Sequence, residues 1–248
     1  MKLDSFFRQN PKAAIAFSGG VDSAYLLYAA KQAGAEVRAY YVNSEFQPAF
    51  ELADARRLAE ELCAELRVLP LQVLADAQVR ANPADRCYHC KKRIFSEILS
   101  AAAADGFSVL LDGTNASDAA DDRPGMRVLQ ELSVRSPLRE CGLTKAQIRQ
   151  LSKEAGLFTW DKPAYACLAT RIPAGEALTA EKLRATETAE DALFALGFSD
   201  FRVRCQNGHA RVQVPGAQLP RVLEHRGEIL AALKPLYHTV SLDLEVRA

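Results

Sequence analysis

The sequence has no excess of either charge. Thirty-one Lys and Arg residues face 31 Asp and Glu residues, for a formal net charge of zero at pH 7. A dedicated nucleic-acid binder normally carries surplus basic side chains to meet phosphates. The balance weighs against that class and leaves room only for a local basic patch. No apolar run approaches the ~18 residues of a membrane span. Met1 to Pro11 is polar, without the apolar segment of a secretory leader. The expectation is a soluble cytoplasmic protein that engages neither nucleic acid nor membrane. Thiols stay reduced in that compartment, so a disulfide scaffold is not expected. A chain of 248 residues does not need one, because it can bury roughly 70–75% of its unfolded surface. There is no internal repeat, and no low-complexity tract beyond Ala101–Ala104.

What the sequence does contain is alternation. Apolar strand-like runs at Ala13–Phe17, Val37–Val42, Val68–Leu71 and Val109–Asp112 are separated by helical patterns at Ser23–Ala33, Ala49–Leu66 and Lys91–Ala104. This grammar predicts an α/β fold, a doubly wound parallel sheet with ligands at the carboxyl ends of its strands. Polar stretches at Ala75–Arg86 and Asn115–Arg127 read as long functional or mobile loops. Thr144-Lys-Ala-Gln147 is a capping box that opens a further helix, ending at Gly156. From about Thr179 the pattern changes. A helix over 180–196, a hairpin around Asn207-Gly208, a helix over 218–233 and a strand over 239–246 predict a small α+β domain. The expected division is therefore 1–178 and 179–248. The second part is assigned to substrate binding or oligomerisation, and a homo-oligomer is expected.

Ser18-Gly19-Gly20-Val21-Asp22-Ser23 lies between the first strand and its helix. Its glycines allow positive φ and a close backbone approach, and successive N–H groups at a helix start form an anion nest. Ser18 and Ser23 can donate to phosphate oxygens. Asp22 belongs beside phosphate only with a cation between them, so the loop predicts a Mg²⁺-bridged polyphosphate. No Gly-Lys-Ser/Thr follows, which excludes the Walker motif, and the third glycine of the dinucleotide fingerprint is missing. Asp112-Gly113-Thr114-Asn115 ends the fourth predicted strand and should face the same cleft; Asp112 and Asn115 can hold nucleotide or metal.

The six cysteines are unusual for such a chain. Cys87 and Cys90 form a C-x-x-C before a helix, and Cys167 stands in an Ala-Cys-Leu-Ala-Thr-Arg171-Ile-Pro string. Structural thiols, a zinc site, an iron–sulfur site with one open iron, and a sulfur nucleophile at Cys167 activated by Arg171 and Lys162 all fit this pattern. Cys63 falls on the apolar side of its predicted helix and is assigned to the core. Cys141 and Cys205 have no partner spacing.

The Ser-Gly-Gly-Val-Asp-Ser string is similar to the signature of the PP-loop ATP pyrophosphatases. Within that superfamily the chain resembles one family, the ATP-dependent sulfur transferases of nickel-pincer nucleotide biosynthesis (LarE). The resemblance rests on Arg86–Cys90, Asp112–Asn115, Arg123-Pro-Gly125 with Arg135–Leu138, Leu143-Thr-Lys145, Trp160–Pro163 and Ala166–Pro173, in order along the chain. It implies cleavage of ATP between the α and β phosphates. A carboxylate of a pyridinium bis-carboxylate mononucleotide would be adenylated, and sulfur from an unidentified donor would displace AMP. The ATP and pyrophosphate residues would be Ser18, Gly19, Gly20, Asp22, Ser23, Asp112 and Asn115, with Cys167, Asp22 and Arg171 catalytic. The resemblance also implies that Cys87, Cys90 and Cys167 hold a 4Fe-4S cluster, the alternative within the family being a sacrificial Cys167. Arg202, Arg204 and Arg211 are candidates for the substrate phosphate, since Arg202 and Arg204 share a strand face. Gln213 stands where an acidic residue is expected, and the sequence is short after Leu244. The rivals are an iron–sulfur-dependent tRNA thiolase, an ammonia-using synthetase of the same superfamily and a nucleotide-binding sensor.

Overall fold

The computed structural model describes residues 2–118 and 124–247, and the chain divides into two compact units. Met1–Val73 and Asp85–Lys162 form the first; Leu74–Ala84 and Pro163–Ala248 form the second.

The first unit is built on four parallel strands, β1 (Lys12–Ala16), β2 (Glu36–Asn43), β3 (Glu65–Pro70) and β4 (Leu110–Leu111), in the order β3-β2-β1-β4. Its longer helices are α1 (Leu3–Gln9), α2 (Val21–Gln32), α3 (Ala49–Glu61), α4 (Arg86–Ala104), α5 (Pro124–Glu131) and α6 (Lys145–Glu154). Side chains alternate across a strand, so each strand supplies two cores. Ala13, Ile15, Ala39, Tyr41 and Leu111 pack with Leu27 of α2, Leu58 of α3 and Ile148 of α6. Ala14, Tyr40, Val42 and Leu110 pack with Phe95 and Ile98 of α4 and Leu129 of α5. The sheet is thus buried on both faces, as its near-continuous apolar strands require.

Four local expectations need correction. The helix expected over 49–66 ends at Glu61, and residues 65–70 form β3. Leu66 continues the helical apolar spacing by coincidence and lies in a strand. The helix closes in a Schellman motif: Cys63 N–H donates to Glu60 O, Ala64 N–H donates to Ala59 O, and Cys63 takes φ +48°. Cys63 is consequently exposed rather than core. The helix expected from Lys91 begins at Arg86, so the C-x-x-C occupies its first turn. Strand β4 has two residues rather than four.

The second unit carries β5 (Arg202–Gln206), β6 (His209–Gln213) and β7 (Thr239–Leu242), with α7 (Ala180–Ala195), α8 (Leu219–Glu224) and α9 (Arg226–Leu233). β5 and β6 form the expected hairpin. Asn207 and Gly208 have φ +49° and +75°, the pair of left-handed residues that a two-residue turn demands. β7 lies parallel to β6, reached through α8 and α9. The single helix expected over 218–233 is interrupted at His225, and the last strand stops at Leu242. Residues 74–84 are ordered, with one helical turn at Ala77–Arg80. Asn82 Nδ2 donates to the carbonyls of Pro173 (2.8 Å) and Glu176 (3.1 Å), which fixes the segment in this unit.

Candidate functional site

β1 ends at Ala16 with β2 and β3 on one side and β4 on the other. This is the switch point of the sheet, where a crevice opens beyond the strand ends. Both Gly-containing loops emerge there. Ser23 Oγ accepts from Ser18 N–H (3.3 Å), donates to Gly20 O (3.2 Å) and lies 3.1 Å from Ser18 Oγ. Gly19 alone uses a positive φ, +72°; a Cβ there would stand 3.3 Å from Glu51 O and from Ala55 Cβ. Gly20, at φ −82°, caps α2 from extended backbone. A Cβ on Gly113 would lie 2.9 Å from Ser23 N, so the two loops touch at a point only glycine can occupy.

Their carboxylates are differently employed. Asp112 is buried and accepts from Ser136 Oγ (2.6 Å) and Thr114 Oγ1 (2.5 Å), which fixes its own loop. Asp22 accepts from Asn115 Nδ2 (3.3 Å) and from Lys145 Nζ (2.5 Å). Lys145 is the first residue of α6, set there by the reciprocal capping box of Thr144 and Gln147. Asp22 therefore already has a cationic partner, an ammonium group supplied by the protein.

The loops border a cleft of about 330 Å³, walled on the other face of the sheet by Lys91, Ile94, Phe95 and Ile98 of α4. Asp22, Glu51, Asp112 and Asp118 line it, with Lys91 as the one Lys or Arg among the described lining residues. A polyphosphate entering four carboxylates needs a further cation. Hard oxygen ligands suit Mg²⁺, which commonly binds through one or two carboxylates plus substrate phosphates. Among the described residues no three His, Cys, Asp or Glu side chains are grouped to hold a metal ion.

Cys87 is exposed and Cys90 buried, one turn apart at the start of α4. Arg86 Nη2 lies 3.5 Å from Cys87 Sγ. Tyr88 donates to Glu131 of α5 (2.9 Å), anchoring this turn. Of the Arg123-Pro-Gly125 string, Arg123 lies outside the described residues.

In the second unit, half-buried Cys167 caps a short 3₁₀ turn, Leu168–Arg171. Arg171 is buried and pairs through Nε (2.8 Å) and Nη2 (3.0 Å) with Glu190, while Nη1 donates to Ala166 O and Thr170 Oγ1, both at 2.8 Å. Glu190 also accepts from Tyr165 Oη and from Val203 N–H (2.9 Å). Burial works against the Arg171 charge, but bonding to Glu190 outweighs it and raises its pKa. Arg202 is buried too, donating to Phe201 O and Ala164 O at 2.6 Å. Burial first, then the charges of Arg171 and Arg247, bring its pKa down to about 10. Arg204 and Arg211 instead line a second cleft of about 350 Å³ with Thr170, His209 and Ser241. Arg211 pairs with Asp243 (3.2 Å), whereas Arg204 meets the neutral Gln213 Oε1 (3.3 Å). Burial and the nearby Arg211 lower the Arg204 pKa, a strain that a bound anion would relieve. Burial raises the thiol pKa of Cys141 and of Cys205.

Sequence reasoning missed three residues as site components. Lys145 has no local sign beyond its place directly after a helix cap. Lys91 reads in sequence as an ordinary helical lysine. Glu190 shares the buried stripe of α7 with Leu183, Thr186 and Leu193, and a carboxylate on such a stripe is the only local sign of it.

A family profile described as queuosine biosynthesis protein QueC matches residues 12–93. The chain is 35% identical to the pyridinium-3,5-bisthiocarboxylic acid mononucleotide synthase of Lactiplantibacillus plantarum, over 94% of this chain and 86% of that protein. It is also 35% identical to an uncharacterised protein of Synechocystis, over 98% and 92%. A tRNA-specific 2-thiouridylase of Thermotoga neapolitana is 24% identical over 59% of this chain and 52% of its own.

Proposed function

Because the chain belongs to the LarE family, that of pyridinium-3,5-bisthiocarboxylic acid mononucleotide synthase, we propose that it uses ATP and Mg²⁺ to insert sulfur into a carboxylate of a pyridinium-type mononucleotide. The observation that carries this reading is the contact of two loops at the switch point around Asp22, a site suited to pyrophosphate.

A carboxylate oxygen attacks the α-phosphorus of ATP. The bond to the bridging oxygen breaks, and pyrophosphate leaves with the electron pair into the nest of Ser18–Ser23. The acyl adenylate then presents AMP as a leaving group, which a bare carboxylate lacks. A sulfur nucleophile bonds to the acyl carbon, AMP departs with the carbon–oxygen electrons, and a thiocarboxylate remains. Arg204 and Arg211, which line the second cleft, supply positive charge for the substrate phosphate. Two routes supply the sulfur. In one, Cys167 forms a thioester, then loses its α-proton as its Cβ–S bond breaks, leaving dehydroalanine. In the other, Cys87, Cys90 and Cys167 would hold a 4Fe-4S cluster, which would supply the transferred sulfur when bound. Thiolate donors suit that group. Arg171 and Glu190 hold the loop that carries Cys167.

The test is an anaerobic assay with ATP, Mg²⁺ and pyridinium carboxylates. AMP, pyrophosphate and thiocarboxylate are expected in equal amounts; ADP and phosphate, or AMP formation indifferent to the carboxylate, would overturn the reading. The tRNA thiolase rival predicts RNA retained through high salt.

A further inference from the structure

One motif has no role in the reaction outlined above: Gly125, with Lys91 facing it. A Cβ on Gly125 would stand 2.8 Å from Lys91 Cδ, 3.3 Å from Cε and 3.4 Å from Nζ. The whole outer half of the Lys91 side chain thus lies along a glycine in the first turn of α5. Its ammonium sits 5.7 Å from the centre of the Phe95 ring, and no carboxylate is within ion-pair distance among the described residues. Lys91 is also the lone cation among the described residues lining the cleft, and it comes from the face of the sheet opposite α2. A lysine packed into the only space a glycine leaves, with no carboxylate partner among the described residues, is built to meet an anion.

We propose that Lys91 binds the α-phosphate of the nucleotide and that Gly125 is the positioning residue that lets it reach. This rests on the nucleotide reading of the cleft and specifies it. The anion nest at Ser18–Ser23 takes the leaving pyrophosphate, so the α-phosphate lies on the far side of it, toward α4. A displacement at phosphorus places added negative charge on that phosphate, and an ammonium contact there strengthens as the reaction proceeds.

Calorimetry with AMP and with adenosine isolates this contact, because the two ligands differ only in the α-phosphate. Wild-type protein should prefer AMP. K91M should lose about tenfold in AMP affinity and nothing for adenosine, as expected for a charge-assisted bond. G125A should reproduce this loss, because its methyl group displaces a flexible side chain rather than backbone, and K91M/G125A should be no weaker than K91M. Unchanged melting temperatures would show that the variants fold. Undiminished AMP preference in K91M, or additive losses in the double variant, overturns the assignment. Wild-type protein that binds adenosine without preferring AMP also overturns it, leaving the nucleotide cleft intact. Protein that binds neither ligand, nor ATP, overturns the nucleotide reading and this assignment together.

Discussion

Gly113 shows how much can depend on a single absent methyl group. The switch-point crevice exists because the end of β4 and the start of α2 come within one atom's width, and any Cβ at residue 113 would meet Ser23 N at 2.9 Å and Asp22 at 3.3 Å. The obstruction is backbone, which cannot swing aside as a lysine tail can. Gly113→Ala should therefore cost about 1–3 kcal/mol of stability, the usual range for overpacking. It should also weaken ATP binding, because the displaced groups include Asp22 and the first N–H groups of the anion nest. Urea unfolding and calorimetry check the two effects separately. Wild-type stability together with wild-type affinity would mean that the loops do not need this contact.

Elements were more legible than their ends. The parallel sheet, the two loops at its carboxyl edge, the capping box at Thr144 and the hairpin at Asn207-Gly208 could all be read because each has a local signature of periodicity or of φ. The end of α3 could not, since Leu66 keeps helical spacing while lying in β3. Glu190 escaped because its partners, Tyr165, Arg171 and Val203, come from distant stretches of sequence. One tie between elements makes a pH prediction. Asp105, just after α4, accepts from Tyr40 of β2 (2.7 Å), Arg67 of β3 (2.6 Å) and Arg38 of β2 (2.9 Å). These donors, Tyr40 first, pull its pKa from 3.8 down to about 2. A carboxyl group more acidic when folded stabilises the fold fully above its ordinary value, and loses that contribution as pH falls toward its folded value. Stability should thus decline between about pH 5 and about pH 2, and Asp105→Asn should be less stable at neutral pH with a shallower decline. Urea midpoints measured across that range decide it; parallel curves for the two proteins would remove Asp105 from the account.

For the molecule as a whole, net charge says little and cysteine placement says more. The zero sum conceals a cleft rich in carboxylates and, in the second unit, a cleft with Arg204 and Arg211 on its wall. Charge therefore acts locally, and each cleft presents a sign that the neutral sum does not report. Of the six cysteines, exposed Cys63 ends a helix, and Cys141 and Cys205 have thiol pKa values raised by burial, which disfavours the thiolate needed for chemistry. Cys87, Cys90 and Cys167 are the three proposed above for sulfur handling. If these three serve one cluster, its iron depends on all of them at once. Protein purified without oxygen should then carry iron and acid-labile sulfide with broad visible absorption, and Cys87→Ser, Cys90→Ser and Cys167→Ser should each abolish it. If Cys167 is instead the sacrificial donor, the protein stays colourless and Cys167→Ser alone stops thiocarboxylate formation. Mass spectrometry after turnover then finds Cys167 lighter by one sulfur and two hydrogens. Iron retained in all three variants, or zinc bound in place of iron, would overturn the cluster route; an unaltered Cys167 in a protein that turns over without iron would overturn both.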